Sequence, residues 1–120
     1  MLSFHSQLKV FVAVAPCDLR KSFHGLWAAA QETLGEDPKS GALFVFGNRR
    51  RNRIKLLHFD GTGVVILTKR LEQGTFHWPQ SAGGPKAKIT LAPQALQLLL
   101  DGIQLKDAGQ RAWYEAPTSN

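Results

Sequence analysis

Ala42-Leu43-Phe44-Val45-Phe46 is an unbroken apolar run, closed on one side by Ser40-Gly41 and on the other by the polar stretch Gly47–Asn52. A run without alternation has no polar side to give to water, so it reads as a strand buried on both faces. Everything around it must cover that strand. Arg53–Asp60 is the next extended segment, Asp60-Gly61-Thr62-Gly63 is a strong turn signal, and Val64 to about Leu71 returns antiparallel. The three segments predict a β-meander with residues 47–52 as the tip of its first hairpin.

Upstream, Leu8–Ala15 carries Val10, Phe11, Val12 and Val14 and ends at Pro16, which marks another strand. Asp18 is placed to cap a helix running to about Leu34. Leu19, Phe23, Leu26, Trp27, Ala30 and Leu34 recur at steps of three and four as its apolar face, and Gly35 is the expected stop. Gly25 inside it costs about 1 kcal/mol against alanine and marks a close contact. Downstream, Glu72–Gly74 turns the chain, Thr75–Trp78 reads as a short strand, Gln80–Pro85 as a loop and Lys86–Leu91 as a last strand. A second helix starts at Pro93, the residue type that suits a first helical position. It takes Leu96, Leu99 and Leu100 as its core face, and Leu91 and Leu96 are spaced as a hydrophobic staple. The expected fold is α+β: a small, mostly antiparallel sheet, one long helix packed on a face, and a second short C-terminal helix. Residues 1–105 form its single domain and 106–120 a weakly ordered tail, since 120 residues support one core.

The composition narrows the function classes. Fifteen basic residues against nine acidic ones give a net charge of +6 and a pI near 9.9, which favours anionic partners, nucleic acid above all. A single cysteine, Cys17, excludes an intrachain disulfide and fits a reducing compartment. No apolar run approaches the ~20 residues of a spanning helix. Val10–Ala15 with Ala13-Val14-Ala15 imitates a signal sequence, but the stretch is short and Pro16 follows it, so it reads as a strand and the cytoplasm is the expected compartment, with no membrane partner.

The basic residues are concentrated. Arg49, Arg50, Arg51, Arg53, Lys55, Lys69 and Arg70 all fall in the meander, where Asp60 is nearly the sole acid. Guanidinium groups donate two parallel bonds to phosphate or to a guanine edge, so a hairpin tip loaded with them suits a groove or a phosphate backbone. The plainer reading is a solvated tip that discourages edge aggregation, but it leaves five crowded cations with no counter-ion. Arg20 and Lys21 fall in the expected first helical turn, where the dipole disfavours cations. With the free backbone N–H groups there they suggest a phosphate cradle, and pairing with Asp18 is the structural alternative. The expected nucleic-acid contacts are therefore Arg49, Arg50, Arg51, Arg53 and Lys55, assisted by Arg20, Lys21, Lys69 and Arg70.

Catalysis has less support. Asp18, Asp60, Asp101 and Asp107 are scattered over caps and turns rather than gathered on a sheet to hold metal ions. Asp37-Pro38-Lys39 imitates the acid-x-lysine of metal-dependent nucleases, yet lies in a loop. His5, His24, His58 and His77 never fall two or four apart, so no local metal pair exists. Tyr114 lies in the tail without visible partners, and Cys17, placed before a helix N-terminus, has nothing beyond Arg20 and Lys21 to mark it as catalytic. No catalytic residue, metal or cofactor is expected. Trp27, Phe59 and Phe76 are assigned to packing, and Trp78, before Pro79, is the aromatic expected to be partly exposed.

Asp18-Leu19-Arg20-Lys21-Ser22-Phe23 with Gly25-Leu26, Leu43–Phe46, Asn48-Arg49-Arg50, Arg53–Leu57, Asp60-Gly61, Lys69–Glu72, Gly74, Phe76 and Trp78-Pro79, with a weaker echo at Leu99–Ile103, together resemble the TnpB-like accessory proteins of the insertion-sequence-66 family of transposable elements. The resemblance covers roughly Met1 to Leu105. It implies a non-catalytic companion of a separate transposase encoded by the same element; with the basic cluster, the expected partners are DNA, contacted mainly at phosphates, and that transposase. The alternatives are an adapter that docks the transposase without touching DNA, and a metal-dependent nuclease. The chain departs from the family at His24, where an acid is usual, at Arg51-Asn52, where Gly-Asp is common, and at His58 and Val65, where aromatics are frequent. A turn that needs positive φ would strain Arg51.

Overall fold

A computed structural model describes residues 7–80, 84 and 86–102. Five strands form one sheet: β1 (Val10–Ala13), β2 (Leu43–Gly47), β3 (Arg53–Phe59), β4 (Val64–Arg70) and β5 (Lys88–Leu91), in the spatial order β4-β3-β2-β1-β5. β2, β3 and β4 are the expected antiparallel meander. β1 lies parallel to β2, with Val10 opposite Leu43, and antiparallel to β5. A parallel pair needs a crossover, and helix α1 (Phe23–Ala28) with a π-helical continuation (Ala29–Thr33) supplies it. Helix α2 (Pro93–Leu100) follows β5, with Pro93 opening it and Gly102, at φ 78°, closing it. The tail expected at 106–120 lies outside the described residues.

Every residue of β2 is buried, as its unbroken apolar run requires. Its side chains divide by parity. Leu43 and Val45 join Val10, Val12, Ile54, Leu56, Ile89 and Leu91 beneath Leu96, Leu99 and Leu100 of α2. Phe44 and Phe46 join Ala13, Leu57, Leu26, Ala30 and Leu34 beneath α1. The two helices thus cover opposite faces of one sheet.

Three expectations change. The first helix does not start at Asp18. The Asp18 carboxylate takes the Arg20 N–H at 3.0 Å, forming a local turn over 18–21, and the helix opens only after Ser22, whose side chain caps nothing. Arg20 and Lys21 consequently precede the helix, and the cradle expected at its first turn is not formed. Thr75–Trp78 is not a strand: Phe76 and Trp78 turn into the α2-side core. Trp78 is 9% exposed, against the expected partial exposure, because its indole N–H reaches the Ala13 carbonyl at 3.0 Å and its ring covers Gly47.

Candidate nucleic-acid interface

The β2–β3 connection is organised by one asparagine. The Asn48 side-chain oxygen accepts the N–H groups of Asn52 and Arg53 at 3.1 and 3.0 Å, its amide donates to the Asn52 side chain at 2.7 Å, and its carbonyl accepts the Arg51 N–H at 3.1 Å. Closing so tight a loop forces Arg51 to φ 59°, the one non-glycine residue with positive φ among those described. The strain anticipated from the departure at this position is present.

The arginines of the tip divide. Arg51 folds inward. Its Nη2 donates to the Val14 carbonyl at 2.7 Å, its guanidinium stacks 4.5 Å from the centre of the Trp78 ring, and its own carbonyl accepts the Phe76 N–H at 2.6 Å. Nη1 is buried with no hydrogen-bond partner, and burial lowers the pKa of the group. A β-carbon on Gly47 would lie 2.6 Å from Trp78 and 2.9 Å from Nη1, so glycine at that point lets the arginine and indole approach the strand. Arg51 is thus a clasp between the tip, β1 and the 74–79 loop, and its guanidinium faces the interior.

Arg49 and Arg50 are exposed. They line a cleft of about 530 Å³ together with Arg53, Arg70, Arg20 and Asp18. Arg53 and Arg70 are opposite one another in the β3–β4 ladder, so both guanidinium groups rise from the same face of the sheet. Like charges in this relation cost roughly 0.2–1 kcal/mol. Arg20 reaches the cleft from the β1–α1 connection, where Asp18 holds it by a bidentate pair at 3.0 Å. Those bonds lower the Asp18 pKa to about 2 and raise that of Arg20. Asp18 is the one carboxylate among the described residues lining the cleft, and it is committed to Arg20. The guanidinium groups of Arg49, Arg50, Arg53 and Arg70 make no hydrogen bond or ion pair with any described residue. Among the described residues, no aromatic ring lines the cleft.

The remaining basic residues stand apart from this cleft. Lys55 shares the face of Arg53 but is half-buried one pleat further into the sheet, opposite Thr68. Lys69, by alternation, rises from the opposite face and donates to the Leu100 carbonyl at 2.6 Å, closing the C-terminal end of α2. Lys21 lies with its stem against Gly25, where a β-carbon would approach it to 2.7 Å; the close contact expected at Gly25 is with this neighbour.

The acidic residues have local duties. Asp60 accepts the Thr62 and Gly63 N–H groups and the Thr62 hydroxyl, which lowers its pKa and fixes the β3–β4 turn. Asp37 accepts the Lys39 N–H at 3.0 Å at the start of a 3-10 turn (Pro38–Ser40), which accounts for the acid-x-lysine spacing as turn chemistry. Cys17 lines the cleft, and burial raises its pKa, which disfavours the reactive thiolate. Among the described residues, no three of His, Cys, Asp and Glu come together as a metal site. No helix among them is long and apolar enough to cross a membrane.

The family model described as IS66 Orf2 like protein matches residues 8–110, which takes in the whole described fold and the cleft. The chain belongs to this family. The family is transposition-associated and of an accessory, non-catalytic kind, and it ties the chain to an insertion sequence that carries its own transposase. Two relatives come from Sinorhizobium fredii (strain NBRC 101917 / NGR234). The uncharacterized protein y4hO is 36% identical over 94% of this chain and 95% of its own length. The uncharacterized protein y4jC is 34% identical over 80% of each. No solved structure gives a significant match.

Proposed function

We propose that this accessory protein binds DNA, gripping the phosphate backbone in the cleft between the β2–β3 tip, the β3–β4 ladder and the β1–α1 turn. The observation that carries this reading is the set of four guanidinium groups, Arg49, Arg50, Arg53 and Arg70, that share one cleft without a described counter-ion. The Arg53–Arg70 juxtaposition weakens the free protein, and a polyanion turns that repulsion into two charge-assisted contacts. The described lining of the cleft is guanidinium groups and amides rather than aromatic rings, which favours phosphate contacts over base stacking.

Fluorescence anisotropy with a duplex across a salt series tests it. Four neutralised phosphates give a log–log slope of about −3.6, hence a loss of roughly 150-fold in affinity between 50 and 200 mM salt. Each of Arg49→Ala, Arg50→Ala, Arg53→Ala and Arg70→Ala lowers the slope by about 0.9. A flat salt response, or slopes unmoved by these changes, removes the reading. Co-purification with the transposase after nuclease treatment, without affinity for DNA, would instead make the cleft a docking site for an acidic protein surface.

A further inference from the structure

The two edges of the sheet are built differently. β5 is four residues long, and Lys88 on it is tied to Glu36 and to the Leu34 carbonyl. Short length and a charged side chain are common ways to blunt an edge. β4 is seven residues long, and its first five, Val64–Thr68, carry no charge. Lys69, which could guard it, is drawn to Leu100. The Leu71 N–H donates to the Asn52 carbonyl, which sets the alternation of the ladder. Odd-numbered residues of β4 therefore bond β3, and the N–H and C=O groups of Val64, Ile66, Thr68 and Arg70 point outward. No described strand pairs with them. Val65 and Leu67 stand beside this open row 39% and 40% exposed.

We propose that the open edge of β4 is a dimer seam on which a second copy of the chain continues the sheet antiparallel, about a two-fold axis at Ile66. The strand is complementary to itself in that register. Val65 of each copy meets Leu67 of the other, Ile66 meets Ile66, and Val64 meets Thr68. Lys69 and Arg70 fall opposite Gly63 and Thr62, so no like charges oppose. The outward groups of Val64, Ile66 and Thr68 become the hydrogen-bonded pairs. An acidic partner strand would find no charge to meet along Val64–Thr68. One strand pair covers less than the ~800 Å² per partner of a standard interface, so the dimer is weak and concentration-dependent. The axis is perpendicular to the sheet and keeps both arginine clefts on one side, with the two Arg70 residues roughly 27 Å apart along the strands at ~3.4 Å per residue. That separation falls within one turn of duplex, about 34 Å, so both clefts face the same stretch of DNA. This last consequence rests on the DNA reading; the seam itself does not.

Sedimentation velocity of the full chain without DNA, from low micromolar to submillimolar concentration, is expected to show a monomer–dimer equilibrium. Thr68→Pro, which removes an outward N–H and leaves the β3 ladder whole, should give a folded monomer. In a Cys17→Ser background, a mixture of Val65→Cys and Leu67→Cys proteins should oxidise to covalent dimers faster than either alone. A wild type that stays monomeric throughout overturns the seam, as does equal cross-linking in the separate proteins. Strong exchange protection of the Ile66 amide in a monomer also overturns it, because the edge is then covered by the chain itself. Arg53→Ala should dimerise like wild type, so loss of DNA binding and loss of the seam are read separately.

Discussion

Replacing Arg51 should reverse the usual ranking of alanine and glycine. Both Arg51→Ala and Arg51→Gly lose the hydrogen bond to the Val14 carbonyl and the stack on Trp78. Those are about 1.5–3 and 0.5–2 kcal/mol respectively, offset in part by release of the buried, unpartnered Nη1. The common loss cancels in the comparison between the two variants. What remains is the backbone at φ 59°, which costs an L-residue roughly 1–2 kcal/mol and glycine almost nothing. Against this, glycine loses about 0.4–1 kcal/mol more conformational entropy on folding. Arg51→Gly should therefore be the more stable of the two by roughly 0.5–1 kcal/mol, whereas at an ordinary position alanine leads by a similar margin. Urea unfolding of both proteins, with equal m-values, measures the difference. An alanine variant more stable than the glycine variant would refute the claim that the tip strains this residue. Because the guanidinium faces inward, the salt slope of DNA binding should be the same in Arg51→Gly as in wild type.

Gly47→Ala should cost about 1–3 kcal/mol in the same assay, since its β-carbon meets Trp78 at 2.6 Å where Arg51 also presses. Asp18→Asn should free Arg20 and steepen the salt slope of DNA binding by about 0.9, with tighter binding at low salt. The folded-state pKa of Asp18, about 2, lies below the ordinary carboxylate value, so its stabilising contribution is complete above about pH 4 and lost as pH falls toward 2. Wild type should consequently show a steeper fall of stability over that window than Asp18→Asn in acid titrations of unfolding. Lys69→Met should leave DNA affinity unchanged while lowering stability by roughly 0.3–1 kcal/mol through loss of the contact at the end of α2.

The amino-acid sequence determined the local elements and the stock of charge. The unbroken run 42–46, the Asp60–Gly63 turn, Pro93 and the glycine stops act within a few residues, so β2, β3, β4 and α2 were legible before any contact was known. Alternation alone already separates Lys69 from Arg70, and register through the 60–63 turn sets Arg53 opposite Arg70; applied to the basic cluster, that parity would have divided it. The tertiary structure decided the rest. Arg51 turns inward because a carbonyl 37 residues earlier and an indole from the 74–79 loop come together behind it. Trp78 is buried because its N–H meets Ala13, 65 residues away. Arg20 reaches the cleft because β1 lies parallel to β2 and carries the 18–21 turn to the hairpin tip. Propensity and periodicity report how a segment bends and which side of it is apolar. Which distant segment then covers that side is settled only when the layers close, and that closure separates the arginines open to solvent from the one that holds the fold together.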